Sequence, residues 1–286
     1  MTAQLINGKE IAQSVRNGIS EEVKQLREKG IIPGLAVILV GDNQASRTYV
    51  KNKQKACQEL GIHSVLIELP DTLTQAELSG KIQELNEDSS IHGILVQLPL
   101  PPHIREKEII ETISPEKDAD GFHPINIGRM MTGQDAFLPC TPHGIMVMLE
   151  HIGYEIEGKH AVIVGRSNIV GKPAGQLFLN KNATVTYCHS KTKNLPFYTR
   201  QADILVAAVG IRDTITADHV KEGAVVIDVG MNRNDEGKLC GDVSFEEVSR
   251  KASYITPVPK GVGPMTIAML LKNTVKAAKK IHKVSL

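Results

Sequence analysis

The chain has 286 residues, 41% of them apolar, with 33 Lys and Arg against 32 Asp and Glu for a formal charge of +1. That length suits about two domains of ordinary size, and so small a net charge gives no pull toward nucleic acid or a membrane surface. Trp is absent, which argues against base-stacking platforms, and no apolar run approaches the ~20 residues needed to span a bilayer.

The first half alternates helical and strand patterns. Ile11, Val15, Ile19, Val23 and Leu26 form one helical stripe, and Leu35–Val40 follows as a buried strand. A second helix is expected from about Ala45 to Leu60 and a strand at His63–Leu69. Thr74 and Glu77 have the spacing of a capping box, opening a helix to about Asn86. Gly93–Leu98 reads as a third strand, stopped by a proline-rich turn. This β-α-β-α-β order predicts a parallel sheet covered on both faces.

A loop-rich stretch, about 115–139, separates the halves. Thr141 and Pro142 are expected to cap and start a helix to about His151. Strands then recur at Ala161–Val164, Ala183–Cys188, Ile204–Val209 and Ala224–Val229. A last helix, about Met265–Ile281, is amphipathic. The expected architecture is therefore two α/β domains. The first spans 1–139, with 265–286 packing back on it, and the second, 140–264, is Rossmann-type.

Residues 158–202 contain no carboxylate but seven Lys or Arg. An apolar strand enters this stretch, meets Gly165, and gives way to a helical pattern from about Val170. Glycines at such a turn let backbone N–H groups and a helix N-terminus close on a phosphate. The spacing Gly165 to Gly171 is not the G-x-G-x-x-G fingerprint, and on its own it fits any tight βα turn. The end of the next strand decides the reading. Where an NAD site places an acid for the ribose 2′-hydroxyl, this chain has Cys188, His189, Ser190 and Lys191, so the stretch reads as an NADP site.

Other polar residues fall at the carboxyl ends of the first half's strands, where a parallel sheet binds ligands. Gln97 interrupts an apolar strand, Tyr49 and Lys53 lie four apart on one helix face, and Asp118 and Asp120 share a loop ending in glycine. Taken singly each has a plainer explanation: a satisfied amide, a wet basic face, turn formers. The four cysteines lie far apart and read as reduced thiols of a cytoplasmic protein, and the N-terminus lacks the apolar core of a signal peptide. Ten histidines show no ligand spacing, so no metal is expected.

Together ASRTYVKNKQKA, GILVQLPLP, PEKDADGFHPINIGRM, FLPCTPHGIM, GRSNIVGKP and PVPKGVGPMTIAMLLKNT resemble the bifunctional methylenetetrahydrofolate dehydrogenase/methenyltetrahydrofolate cyclohydrolase family, in order along essentially the whole chain. The resemblance implies NADP-dependent oxidation of methylenetetrahydrofolate, hydrolysis of the methenyl product to formyltetrahydrofolate, a folate substrate and a homodimer. By position, Lys53 would be the catalytic amine, Gln97 its hydrogen-bond partner, Tyr49 a stacking platform for the folate rings and Asp120 the pterin anchor. Gly165, Arg166, Ser167, Ser190 and Met231 would contact the cofactor. The residue types suit the chemistry: a cationic intermediate needs no carboxylate at the reacting carbon, and burial favours the neutral form of an amine. A short-chain dehydrogenase also uses Tyr-x-x-x-Lys, but there the glycine turn precedes the pair, and here it follows. A nucleotide sensor without catalysis would have lost Lys53 or Gln97. One departure stands out: Lys260 occupies a position where the family commonly has glycine, so a positive φ there would strain it.

Overall fold

In the computed structural model, residues 2–285 are described. The chain begins with β1 (Gln4–Leu5), α1 (Gly8–Glu28), β2 (Gly34–Val40), α2 (Gln44–Leu60), β3 (His63–Leu69), α3 (Gln75–Glu87) and β4 (Gly93–Val96). Next come α4 (Glu106–Thr112), α5 (Pro124–Met131), α6 (Cys140–His151), β5 (His160–Val164), α7 (Gly171–Asn180) and β6 (Thr184–Cys188). It continues through α8 (Leu195–Thr199), β7 (Ile204–Ala207), β8 (Val225–Asp228), β9 (Asn232–Arg233) and β10 (Leu239–Cys240). It closes with α9 (Phe245–Val248), β11 (Tyr254–Ile255) and α10 (Val262–Ile281).

Two compact units result. One comprises Ser14–Leu138 with the segment from Leu270 onward, and the other comprises the residues up to Gln13 with Pro139–Met269. In the first, β2 lies between β3 and β4, all parallel. Every residue of β2 is buried, as a central parallel strand covered on both faces requires. One of those faces packs Ala36, Ile38 and Val40 with Ile94 and Val96 against Leu78, Ile82 and Leu85 of α3 and Ile109 of α4. Thr74 and Glu77 form the capping box reciprocally: the Glu77 N–H donates to Thr74 Oγ1 at 3.2 Å, and the Thr74 N–H to Glu77 Oε2 at 2.7 Å. The C-terminal part of α10 belongs to this unit. Asn273 donates to the carbonyls of Ala119 at 2.9 Å and Leu138 at 3.0 Å, and Lys276 and Lys280 lie over the Phe137 ring.

The second unit is a Rossmann-type parallel sheet in the order β1-β11-β8-β7-β5-β6. Its edge differs from expectation, because β1 pairs with β11 here although residues 1–139 were assigned to the other half. Two-residue strands carry no periodicity, so neither partner was visible in the sequence. The stretch expected to be loop contains α5, entered through Pro124 with His123 Nδ1 accepting from the Ile125 N–H at 3.1 Å, and α4 lies just before it. Thr141 does not cap α6. The helix already starts at Cys140, and the Thr141 hydroxyl lies 2.8 Å from that of Thr266.

Lys260 has φ of 83°, so it occupies the left-handed region. Its carbonyl accepts from the Lys9 N–H at 3.1 Å. Next to it, a Cβ on Gly261 would fall 2.4 Å from the Pro257 carbonyl oxygen. Neighbouring substitutions should therefore act in opposite directions. Lys260→Gly exchanges about 1–2 kcal/mol of left-handed strain for roughly 0.5–1 kcal/mol of glycine entropy, so thermal unfolding should shift up by about 1–3 °C. Gly261→Ala should lower it. A drop for Lys260→Gly in a melting scan would contradict this assignment of strain.

Candidate active site

The first unit gathers its candidate residues at the carboxyl end of the sheet. Helix α2 starts where Asn43 Oδ1 accepts from the Ser46 N–H at 3.0 Å, and it ends at Gly61 with φ of 71°. Tyr49 and Lys53 therefore share one face. Gln97 lies one residue past β4, yet its N–H still donates to the Ile38 carbonyl at 2.8 Å, which fixes its backbone to β2. Its amide is oriented at both ends: Nε2 donates to the Leu98 carbonyl at 2.7 Å, and Oε1 accepts from Lys53 Nζ at 3.0 Å. Tyr49 keeps 36% of its surface exposed.

The two loop aspartates have different duties. The Ile94 N–H donates to the Lys117 carbonyl at 2.7 Å, so Asp118 bridges to β4 as a strand extension. Asp118 Oδ1 accepts from the N–H groups of Gly121 and Phe122 at 3.0 and 3.1 Å. Its Oδ2 accepts from the His123 N–H at 2.9 Å and from Asn126 Nδ2 at 2.8 Å. Lys117 Nζ donates to the carbonyls of Leu85 and Asp88 at 3.0 and 2.7 Å, and Asn273 holds Ala119. Asp118 is thus the turn former, and Asp120 is carried on the rigid turn it makes. Burial pushes the Asp120 carboxyl up to about 6, while the Lys53 charge pulls it down and Asp118 adds to the rise. The anchoring roles of Lys117 and Asn273 were missed, because neither lies in a pattern that sequence periodicity reads.

In the second unit the glycine turn is a set of close approaches. Gly165 has φ of 131°, and a Cβ there would lie 2.2 Å from the Ala208 carbonyl oxygen. A Cβ on Gly171 would lie 2.4 Å from the Gly165 carbonyl oxygen, and one on Gly175 would lie 2.3 Å from the Tyr187 hydroxyl. Gly175 was the unread third member: it lets α7 settle on β6, as the last glycine of a dinucleotide fingerprint does. Ser167 Oγ accepts from the N–H groups of Val170 and Gly171 at 3.1 and 3.2 Å, so this side chain shapes the turn from within. Arg166 is exposed on the turn and Ser190 is exposed beyond β6, with His189 and Lys191 beside it. Met231, 48% exposed, follows β8. The topology reverses at β5, which lies between β6 and β7, and ligands bind in doubly wound sheets at such a point. A backbone cradle that any Cβ would fill, beside a strand end without acid, fits a dinucleotide bearing a 2′-phosphate. Among the described residues no group of three or more His, Cys, Asp or Glu stands where it could hold a metal ion.

The charge relation between Lys53 and Asp120 is open to direct measurement. In ¹³C spectra of carboxyl-labelled protein, Asp120 should titrate near 6, above the ordinary carboxylate range. Lys53→Met removes a charge that lowers this value, so the midpoint should move further up. A midpoint that stays put or falls would contradict the electrostatic coupling.

Residues 6–120 match the tetrahydrofolate dehydrogenase/cyclohydrolase catalytic domain, and residues 139–282 match the NAD(P)-binding domain of the same family. The bifunctional protein FolD of Bacillus cytotoxicus is 66% identical over 280 residues, covering 98% of each chain. The crystal structure of the bifunctional FolD methylenetetrahydrofolate dehydrogenase/cyclohydrolase from Campylobacter jejuni superposes with a TM-score of 0.96 at 55% identity, over 98% of this chain and 99% of that one. The Trypanosoma brucei enzyme, solved with NADP and an inhibitor, gives 0.95 at 40% identity over 99% and 100%. The chain belongs to the tetrahydrofolate dehydrogenase/cyclohydrolase family.

Proposed function

We infer that this chain is a bifunctional one-carbon enzyme, which oxidises 5,10-methylenetetrahydrofolate to the methenyl compound with NADP and hydrolyses that product to 10-formyltetrahydrofolate. Family membership over both units supports the two activities. The observation that carries the residue assignment is the Lys53–Gln97 hydrogen bond at 3.0 Å. The bound cofactor supplies the acceptor for the hydride. The cradle at Gly165 and Gly171, with Arg166, Ser167, Ser190 and Met231, is the part of the chain proposed to hold it.

The side chains of the first unit then have distinct tasks. Tyr49 offers its ring face to the flat folate rings, and Asp120 accepts from the pterin amino and ring N–H groups. In the hydrolytic step, a water oxygen bonds to the methenyl carbon and Lys53 Nζ takes up the water's proton. The same nitrogen returns that proton to the departing folate nitrogen as the carbon–nitrogen bond breaks, and the remaining hydroxyl proton passes to solvent, leaving the neutral formyl group. Gln97 holds Nζ by accepting one of its hydrogens and adds no charge beside a cationic substrate.

The further reading is a cytoplasmic homodimer. Four cysteines that form no disulfide suit a reducing compartment, and no helix among the described residues is long and apolar enough to cross a membrane. The family resemblance implies the dimer, and light scattering decides the point.

The first test is Lys53→Gln, followed in one spectrophotometric assay of NADPH and methenyl absorbance. Proton transfer by a placed group contributes about 10²–10⁴-fold, so hydrolysis should fall by that order while oxidation falls much less. Equal retention of both activities in a folded variant would sink the assignment. The second concerns the acid-free strand end. Ser190→Asp should repel the 2′-phosphate and lower the NADP/NAD ratio of kcat/KM by at least about tenfold at fixed ionic strength. An unmoved ratio would place the selectivity elsewhere.

A further inference from the structure

Two buried carboxylates in the second unit are not accounted for by the reaction. Asp228 ends β8 with 4% of its surface exposed, and Asp242, past β10, is fully buried. Each accepts three donors. Asp228 Oδ1 takes the N–H groups of Gly230 and Asp242, both at 2.9 Å, and Oδ2 takes that of Val243 at 3.0 Å. Asp242 Oδ2 takes the N–H groups of Val209 and Gly210 at 2.7 and 3.0 Å, and Oδ1 takes Asn232 Nδ2 at 2.9 Å. The packing is crosswise: a Cβ on Gly241 would lie 1.8 Å from Asp228 Oδ2, and one on Gly230 would lie 2.2 Å from Asp242 Oδ1. The pair thereby joins three segments that are distant in sequence. These are the loop after β7, the Gly230–Met231–Asn232 run after β8, and the loop after β10. Adjacent like charges out of water are costly to hold, and burial with the neighbouring Asp242 pushes the Asp228 carboxyl up to about 6, against its three N–H donors. A cost of that kind calls for a return.

The topology shows where it falls. On the cofactor reading given above, on which this inference rests, the 2′-phosphate sits at the end of β6 and the pyrophosphate at the Gly165 turn of β5. β7 and β8 lie on the opposite side of β5 from β6, so the remaining half of the dinucleotide reaches over their ends. The Gly165 turn already abuts Ala208, immediately before Val209 and Gly210. We propose that Asp228 and Asp242 are positioning residues for the nicotinamide half of the cofactor: they fix the backbone of Val209–Gly210 and of Gly230–Asn232 as one preformed floor. Neither carboxylate touches the cofactor.

The test separates the two halves of the cofactor. Asp242→Asn and Asp228→Asn each put an NH₂ group, or lose an acceptor, among backbone donors that must then rearrange. Kd is measured for NADP and for adenosine 2′,5′-bisphosphate, which lacks the nicotinamide half. The expected result is NADP weakened about tenfold or more with the fragment within about twofold of wild type. Asn232→Ala withdraws only the donor shared by Asp242 and the Gly241 carbonyl, leaves both acids in place, and should weaken NADP alone by a smaller factor. This variant decides the matter if the acid substitutions do not fold. Equal weakening of both probes, or NADP binding unchanged, would overturn the proposal. A wild-type chain that binds neither probe would remove the cofactor reading itself, and the proposal with it.

Discussion

On the proposed mechanism, the contact between Lys53 Nζ and Gln97 Oε1 is what turns the end of a small parallel sheet into a reaction site. An amine on a long, flexible stem is a poor catalyst until something fixes it, and a carboxylate partner would fix it at the cost of charge beside a cationic intermediate. An amide fixes it without charge. The amide is itself held by the Leu98 carbonyl and by the ladder bond to Ile38, so the rigidity of β2 and β4 is transmitted to the nitrogen proposed to carry the proton. On that reading the buried β2 serves the chemistry as well as the core.

The same economy recurs across the molecule: side chains spend their hydrogen bonds on the turns that carry the residues proposed to meet a ligand. Asp118 spends both oxygens on its own turn and so presents Asp120, while Lys117 and Asn273 tie that turn to α3 and α10. Ser167 bonds the N–H groups at the start of α7 and sets the shape of the phosphate turn. Holding groups of this kind are over-determined, as preorganised sites require.

How much of this was legible before the fold depended on what each residue's duty was. Long amphipathic helices and apolar strands were readable because burial imposes a period. The glycine turn and the acid-free strand end were readable because each is a local requirement of phosphate binding. Lys53 and Gln97 were named, but only the resemblance of many motifs made them more than a wet lysine and a structural amide; their mutual contact spans 44 positions. What escaped was short or non-local. β1 and β11 are two residues each, Gly175 matters only because Tyr187 lies above it, and Asp228 and Asp242 look like an ordinary strand-end acid and an ordinary loop acid until the turns close around them. Lys260 was visible as a departure, and its φ of 83° gives that departure a physical meaning.

The central claim is that Lys53 and Gln97 act as one unit. A double-mutant cycle of Lys53→Met and Gln97→Leu, read in kcat/KM for hydrolysis of the methenyl compound, measures this directly. If Gln97 works by holding Nζ, the double variant should be no slower than Lys53→Met alone, giving a coupling of more than about 1 kcal/mol. Losses that simply multiply would show that the two residues act independently and would contradict the account.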